Sequence, residues 1–316
     1  MSSEGLPWPI HRGKLALEIP FDLGLSLLCG QAFRWQPLGD GGYRGVVGGT
    51  VVDIRQERDG ALRWQSGPEP LTLDQVISYF RLDDDLESIR SRIGDPAVDA
   101  AFESYPGLRL LRQDPWETLV SFVISQVSNV PRISRTVDSL AMHYGDHLGD
   151  GMSAAFPRPE QLAGADENAL RLLGLGYRAP HVVHISNAVN DGQLFLEPLR
   201  FADYEEARST LMELPGVGPK VADCTLLFSL DHLGAFPVDR WVTRAVEEWY
   251  PVRPGMSQEA IGEWARTRFG DLAGYAGQYL FHARRVGGTE CPGPPEGPEG
   301  GPLRPDQDGA DAGLDL

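Results

Sequence analysis

Leu214-Pro215-Gly216-Val217-Gly218-Pro219-Lys220 is the stretch from which the fold can be read. It lies between two runs of helical periodicity, 204–214 and 220–230. Glycines in such a place permit positive φ and close approach of another backbone, so the predicted unit is helix, tight turn, helix. The first amides of the second helix lack intrahelical partners, and the helix dipole adds positive potential, so the turn can hold an anion such as phosphate. Gly216, Val217 and Gly218 are therefore read as a phosphate-binding turn. A plain helix–helix connection is the alternative, and the ordered Pro, two glycines and Lys favour the former.

The lysine is itself informative. Of 28 basic residues 26 are arginine, and the only lysines are Lys14 and Lys220. A guanidinium stays protonated in any protein site, whereas an ammonium can lose its proton and become a nucleophilic amine. Nineteen residues further on, Pro237-Val238-Asp239 stands at another predicted helix start. Asp239 suits an N-cap, and a carboxylate there can also stabilise a developing cation.

Composition limits the alternatives. The chain has 316 residues, 41% hydrophobic, enough for two domains. Its net charge of −17 argues against a global attraction to nucleic acid. Residues 289–316 carry seven acids against one arginine, a net −6 that leaves −11 for the rest. Any nucleic-acid contact must then come from a local patch and from backbone amides. Three scattered cysteines give no disulfide or metal framework and point to a reducing intracellular compartment. The sequence shows no secretion signal and no apolar run of membrane-spanning length. His143 and His147 are four apart, but with no third ligand evident they are read as surface histidines, and no metal is expected.

Along the chain, β-prone runs at 14–19, 32–36, 43–47, 51–55 and 62–65 are separated by Gly-rich turns with no helix predicted between them. Thr72-Leu73-Asp74-Gln75 is a capping box, and Asp114-Pro115-Trp116-Glu117 starts another helix. Trp116, Leu119, Val120, Val123 and Val127 recur at helical spacing and are expected to face a core. A break is predicted at 128–131, with a helix beginning at Arg132. Further helices are predicted at 167–173, 179–190, 240–250, 257–268 and 274–284. The expected fold is α+β: an N-terminal antiparallel β domain over 1–105, a mostly α-helical domain over 106–288, and a disordered acidic tail over 289–316.

A Gly-rich hairpin with Lys, followed by Pro-Val-Asp, resembles the helix-hairpin-helix DNA glycosylases, and among them the 8-oxoguanine branch. Cys29-Gly30-Gln31-Ala32-Phe33-Arg34-Trp35 is similar to that branch's Ser-Gly-Gln-Ser-Phe-Arg-Trp. Tyr79-Phe80-Arg81-Leu82-Asp83, the run from Gly107 to Pro115, the run from Leu173 to Ala179, and Lys220-Val221-Ala222-Asp223-Cys224 extend the resemblance through most of 23–284. It implies a glycosylase with AP lyase activity, acting as a monomer without cofactor on double-stranded DNA containing an oxidised purine. The damaged base is flipped from the duplex. Lys220 attacks the sugar and Asp239 stabilises its cationic character. Gly30 offers its carbonyl to the N7 proton of 8-oxoguanine, Cys224 and Phe281 sandwich the base, and Phe33 and Gln278 belong to the same pocket. Tyr177 and Arg178 enter the vacated gap and reach the opposite cytosine, helped by Asn129 and Arg132.

The chain departs from that pattern at three places. Of the family's asparagine run at Val127-Ser128-Asn129 only Asn129 remains; its base-reading glutamine falls on Gly277, one residue from Gln278; and Trp241 stands where the family has histidine. Two further readings are an alkyl-base glycosylase of the same superfamily, suggested by Ser125-Gln126, and a non-catalytic helix-hairpin-helix DNA-binding protein. The alkyl-base glycosylases lack the lysine, and the presence of both Lys220 and Asp239 speaks against the non-catalytic reading.

Overall fold

The computed structural model describes residues 8–287, so the acidic tail and Cys291 lie outside the described residues. Five strands, β1 (His11–Leu15), β2 (Gln36–Pro37), β3 (Tyr43–Val47), β4 (Thr50–Gln56) and β5 (Leu62–Gly67), form an antiparallel sheet ordered β1-β5-β4-β3-β2. Gly48 and Gly49 both take positive φ (54° and 78°), which the tight turn between β3 and β4 requires. Val52, Ile54, Leu62 and Trp64 project from one face of the sheet into a core shared with Phe21, Leu27, Val76 and Phe80.

Two expectations for this region are corrected. A short helix, Leu23–Leu28, stands between β1 and β2, started by the Asp22 carboxylate accepting from Leu25 N. Its apolar residues at 23, 25 and 27 alternate like a strand, which hid it. The strand expected at 32–36 shrinks to two residues, because the segment before it serves two cores. Ala32 and Trp35 enter the sheet core, while Cys29 and Phe33 enter the helical one.

Beyond the sheet the chain is helical. Thr72 and Gln75 close their capping box reciprocally at the head of Leu73–Tyr79. Asp114 caps Pro115–Ser125, whose Leu119, Val120 and Val123 are buried. Val127 does not face the core: the helix ends at Ser125, and Val127 is 78% exposed with φ +49°. The next helix is Val130–Tyr144, with Asn129 as N-cap and Pro131 inside its first turn, where a missing N–H costs nothing. The predicted helix at 167–173 runs only over Glu167–Leu170 before a looser turn through Arg171–Leu175, since Gly174 adopts φ +100°. Leu86–Ile93, Pro96–Ser104 and Pro159–Ala163 are further helices that the sequence did not announce.

Buried polar groups join the two parts. Gln31 donates to Arg109 O (2.7 Å) and accepts from Leu111 N (2.8 Å), while Arg109 donates to the carbonyls of Arg81 and Asp84. These bonds clamp the segment around Gly30 onto the helical body.

Candidate active site and nucleic-acid interface

The hairpin forms as predicted between the helices Tyr204–Met212 and Pro219–Ser229. Gly216 has φ +81°, and a Cβ there would stand 2.5 Å from His181 Cγ, so no other residue fits without displacement. Its carbonyl accepts from Gln126 Nε2 (2.9 Å), which ties the turn to the end of Pro115–Ser125. Val217 is buried and anchors the turn, whereas nothing lies within 4 Å of a Cβ built on Gly218. Ala222 N is the amide that closes onto Gly218 O (3.0 Å), so the earlier amides of the first turn face outward, as an anion site needs.

Lys220 is half-buried in that first turn. Its Nζ donates to Ser125 Oγ (3.3 Å) and lies 4.6 Å from the centre of the Phe122 ring. Ser125 Oγ in turn donates to Phe122 O (2.7 Å), leaving its lone pairs toward the lysine. Asp239 caps the helix Arg240–Trp249, and Oδ1 accepts from both Trp241 N (2.8 Å) and Val242 N (2.9 Å). The second carboxylate oxygen is left for the cavity that Asp239 lines.

That cavity, of about 340 Å³, holds Lys220, Asp239, Cys224, Phe281 and Gly30 in its walls. Cys224 follows Lys220 by one helical turn; burial pushes its thiol up to about 12, so it stays neutral. The helix Ala273–Val286 supplies Phe281 and Gln278. Gln278 is 5% exposed, and its Nε2 has no hydrogen-bond partner among the described residues. A side chain at Gly277 would meet the Phe236 ring, 2.9 Å from a Cβ, so a glutamine one residue earlier has no room. Phe33 also lines the cavity, edge-on to Phe122 at 5.4 Å.

The remaining predicted residues lie around the mouth. Asn129 lines the cavity and caps its helix by accepting from Arg132 N (3.0 Å), and the Arg132 side chain is exposed. Tyr177 is 51% exposed, reached through Gly174 and Gly176, both at positive φ. Arg178 is not at the surface. It is 5% exposed, lies 4.4 Å from the Tyr177 ring centre, and donates to the carbonyls of Gln126 and Val127. Its place in this structure is beneath the loop expected to meet the opposite base.

Sequence reasoning missed four residues here: Ser125 against the lysine, Arg285 in the cavity wall, and Arg240 and Arg244 on either side of Trp241, at 5.2 and 5.4 Å from its ring. Only Arg285 left a signal, since Gln278, Phe281 and Arg285 stand at intervals of three and four. Arg132, Arg240 and Arg244 are exposed and form no ion pair among the described residues, whereas Arg34, Arg81, Arg112 and Arg208 each face a carboxylate. Unneutralised cations thus stand beside this cavity, as Arg12, Arg58 and Arg253 do elsewhere on the surface, and phosphate could meet them there.

This geometry defines a base-excision type of site, and the comparisons agree. Residues 120–267 match the family model of the HhH-GPD superfamily base excision DNA repair proteins, and residues 14–119 match that of the 8-oxoguanine DNA glycosylase N-terminal domain. The N-glycosylase/DNA lyase of Saccharomyces cerevisiae is 34% identical, across 88% of this chain and 87% of its own length. A probable N-glycosylase/DNA lyase of Methanothermobacter thermautotrophicus is 31% identical, across 84% and 95%. The crystal structure of Clostridium acetobutylicum 8-oxoguanine glycosylase/lyase, bound to double-stranded DNA with cytosine opposite 8-oxoguanine, superposes with a TM-score of 0.79 at 30% identity, covering 89% of this chain and 98% of that one. The chain belongs to the N-glycosylase/DNA lyase family of the HhH-GPD superfamily.

Proposed function

We propose that this protein removes 8-oxoguanine, preferentially opposite cytosine, from double-stranded DNA and then cuts the strand by β-elimination. The observation that carries the reading is the single cavity in which Lys220, the Asp239 cap and the Cys224 and Phe281 walls converge. A base in the stack is unreachable, so the nucleotide is extruded into the cavity, with Tyr177 filling the gap it leaves. Hairpin amides hold the backbone, exposed Arg240 and Arg244 grip phosphates, and exposed Arg132 reaches the opposite cytosine. No helix among the described residues is long and apolar enough to cross a membrane, and the proposed setting is intracellular DNA.

The amine of Lys220 attacks C1′ as the bond from C1′ to the purine breaks, and the base leaves with its electron pair. Asp239 stabilises the positive charge that gathers on the sugar. Opening of the sugar ring turns the new C–N bond into a Schiff base. Loss of a C2′ proton then expels the 3′ phosphate. Gly30, with φ +97°, places backbone rather than side chain against the base edge, and Gln278 offers the amide that Gly277 lacks. In this proposal residues 1–105 contribute Gly30 and Phe33, and residues 106–288 the remaining groups.

Borohydride trapping on a duplex containing 8-oxoguanine opposite cytosine tests it. The wild-type protein should form a covalent adduct, and Lys220→Gln should form none while still binding the damaged duplex. A wild-type protein that binds but is never trapped would sink the lyase chemistry.

A further inference from the structure

The face that the helix Ala273–Val286 turns to the cavity carries Gln278, Phe281 and Arg285, and Arg285 still lacks a task. Its Nη1 donates to Cys29 O (3.0 Å), and its guanidinium lies 5.6 Å from the centre of the Phe281 ring. A Cβ built on Gly30 would stand 2.6 Å from the same Nη1. No carboxylate pairs with Arg285 among the described residues, in contrast to its neighbour Arg284, which is bridged to Glu248. A guanidinium has five N–H donors, and Cys29 O accounts for one. The rest stand beside Gly30, at the end of the cavity where the N7 edge of a bound purine would lie.

We propose that Arg285 is a specificity-determining residue that donates to a carbonyl oxygen on that edge of the flipped purine. The inference rests on the cavity being the base pocket. Along this edge 8-oxoguanine presents O6, N7–H and O8, an acceptor, a donor and an acceptor. A backbone carbonyl at Gly30 answers the central donor. Arg285, whose N–H groups adjoin that glycine, answers an oxygen beside it. A charged donor also repels an amino group, so 8-oxoadenine, which keeps O8 but carries an amine at C6, fits less well if the oxygen read is O6. Cys29 O keeps the guanidinium in place and the Phe281 ring lies beside it, so little freedom is lost when the base arrives.

The experiment compares wild type with Arg285→Leu and Arg285→Lys on three duplexes under single-turnover conditions: 8-oxoguanine opposite cytosine, 8-oxoadenine opposite cytosine, and an abasic site opposite cytosine. The abasic duplex needs Lys220 but presents no base. Wild-type excision of 8-oxoguanine establishes the pocket reading independently of Arg285. Arg285→Leu should then lower 8-oxoguanine excision by about tenfold or more relative to its effect on the abasic duplex, the size of one base contact. Arg285→Lys should recover part of the loss. If O6 is read, the leucine variant also narrows the gap between 8-oxoguanine and 8-oxoadenine; if O8 is read, both oxidised bases lose together. An equal loss on the abasic duplex, or no loss on 8-oxoguanine, would overturn the proposal.

Discussion

One wall of the cavity is built from neighbours and the other from strangers. Lys220, Cys224 and Asp239 lie within nineteen residues of each other, each placed by a local device: a tight turn, a helical repeat and a cap. The other wall draws Gly30, Ser128 and Asn129, and the helix Ala273–Val286 from three distant parts of the chain. The bond from Arg285 to Cys29 alone spans 256 residues. Covalent chemistry needs one amine and one carboxylate in fixed relation, which a short motif can supply. Recognition needs a shape and a donor pattern around the whole base, and only long-range packing makes those.

The sharpest way to break this contrast is at Lys220. Lys220→Arg keeps the charge but supplies no nucleophilic amine, so the borohydride adduct should vanish as completely as with glutamine. An adduct in the arginine variant would move the nucleophile elsewhere and dissolve the distinction between the walls.

A second test acts on the distributed wall through His282. Burial pushes its imidazole down to about 4 from an ordinary 6.5, and its ring meets Tyr105 edge-on at 4.5 Å. Between those values the unfolded chain holds a proton that the folded protein does not, so stability rises with pH through the window and is lost on acidification. The loss should approach about 3 kcal/mol at the acid end, at roughly 1.4 kcal/mol per pH unit. Urea melts at pH 4.5 and 7 should show His282→Gln losing less stability than wild type on acidification. Equal losses in both proteins would show that His282 does not titrate with unfolding.

The same contrast explains what could be read in the sequence. The antiparallel sheet, the Thr72 capping box, the Asp114 cap and the hairpin were legible because each is signalled by a few residues of local chemistry. The segment at 31–35 was not, since its apolar residues are shared between two cores that only the folded chain reveals. Arg178 illustrates the limit at the site. Its place after a Gly-rich turn suggested an exposed arginine, but only the three-dimensional path of the loop at 126–127 shows it buried beneath those carbonyls. Arg240 and Arg244 were passed over because an exposed arginine on a helix looks like any other until its place beside the cavity-lining Trp241 is visible.

A smaller effect should follow at the join between the walls. Ser125 comes from the helix Pro115–Ser125 and receives the Lys220 hydrogen bond at 3.3 Å. Ser125→Ala removes that acceptor and leaves the amine less firmly aimed. One such bond is worth about 1 kcal/mol, so single-turnover excision should fall severalfold while Kd for damaged duplex moves less. A parallel fall in binding would make Ser125 part of the DNA grip and not a positioning residue for Lys220.

The smallest expected effect on stability is at Val127, in the loop that would meet the opposite strand. A β-branched residue at φ +49° is strained by roughly 1–2 kcal/mol, and at 78% exposure Val127 has little packing to offset it. Asparagine tolerates that backbone and stands at this position in the resembling family. Val127→Asn should therefore stabilise the protein, by up to about 1 kcal/mol in a urea melt. It should also restore an amide beside the opposite base and widen the preference for cytosine, because each base contact contributes about 1–3 kcal/mol of discrimination and valine can neither donate nor accept. Arg178→Ala should act in the opposite sense by freeing the carbonyls of Gln126 and Val127 that its guanidinium holds, flattening the preference. Single-turnover excision opposite C, A, G and T measures both variants. A stabilised Val127→Asn with unaltered partner preference would separate strain from recognition at this loop and leave the choice of cytosine to Arg132 and Asn129.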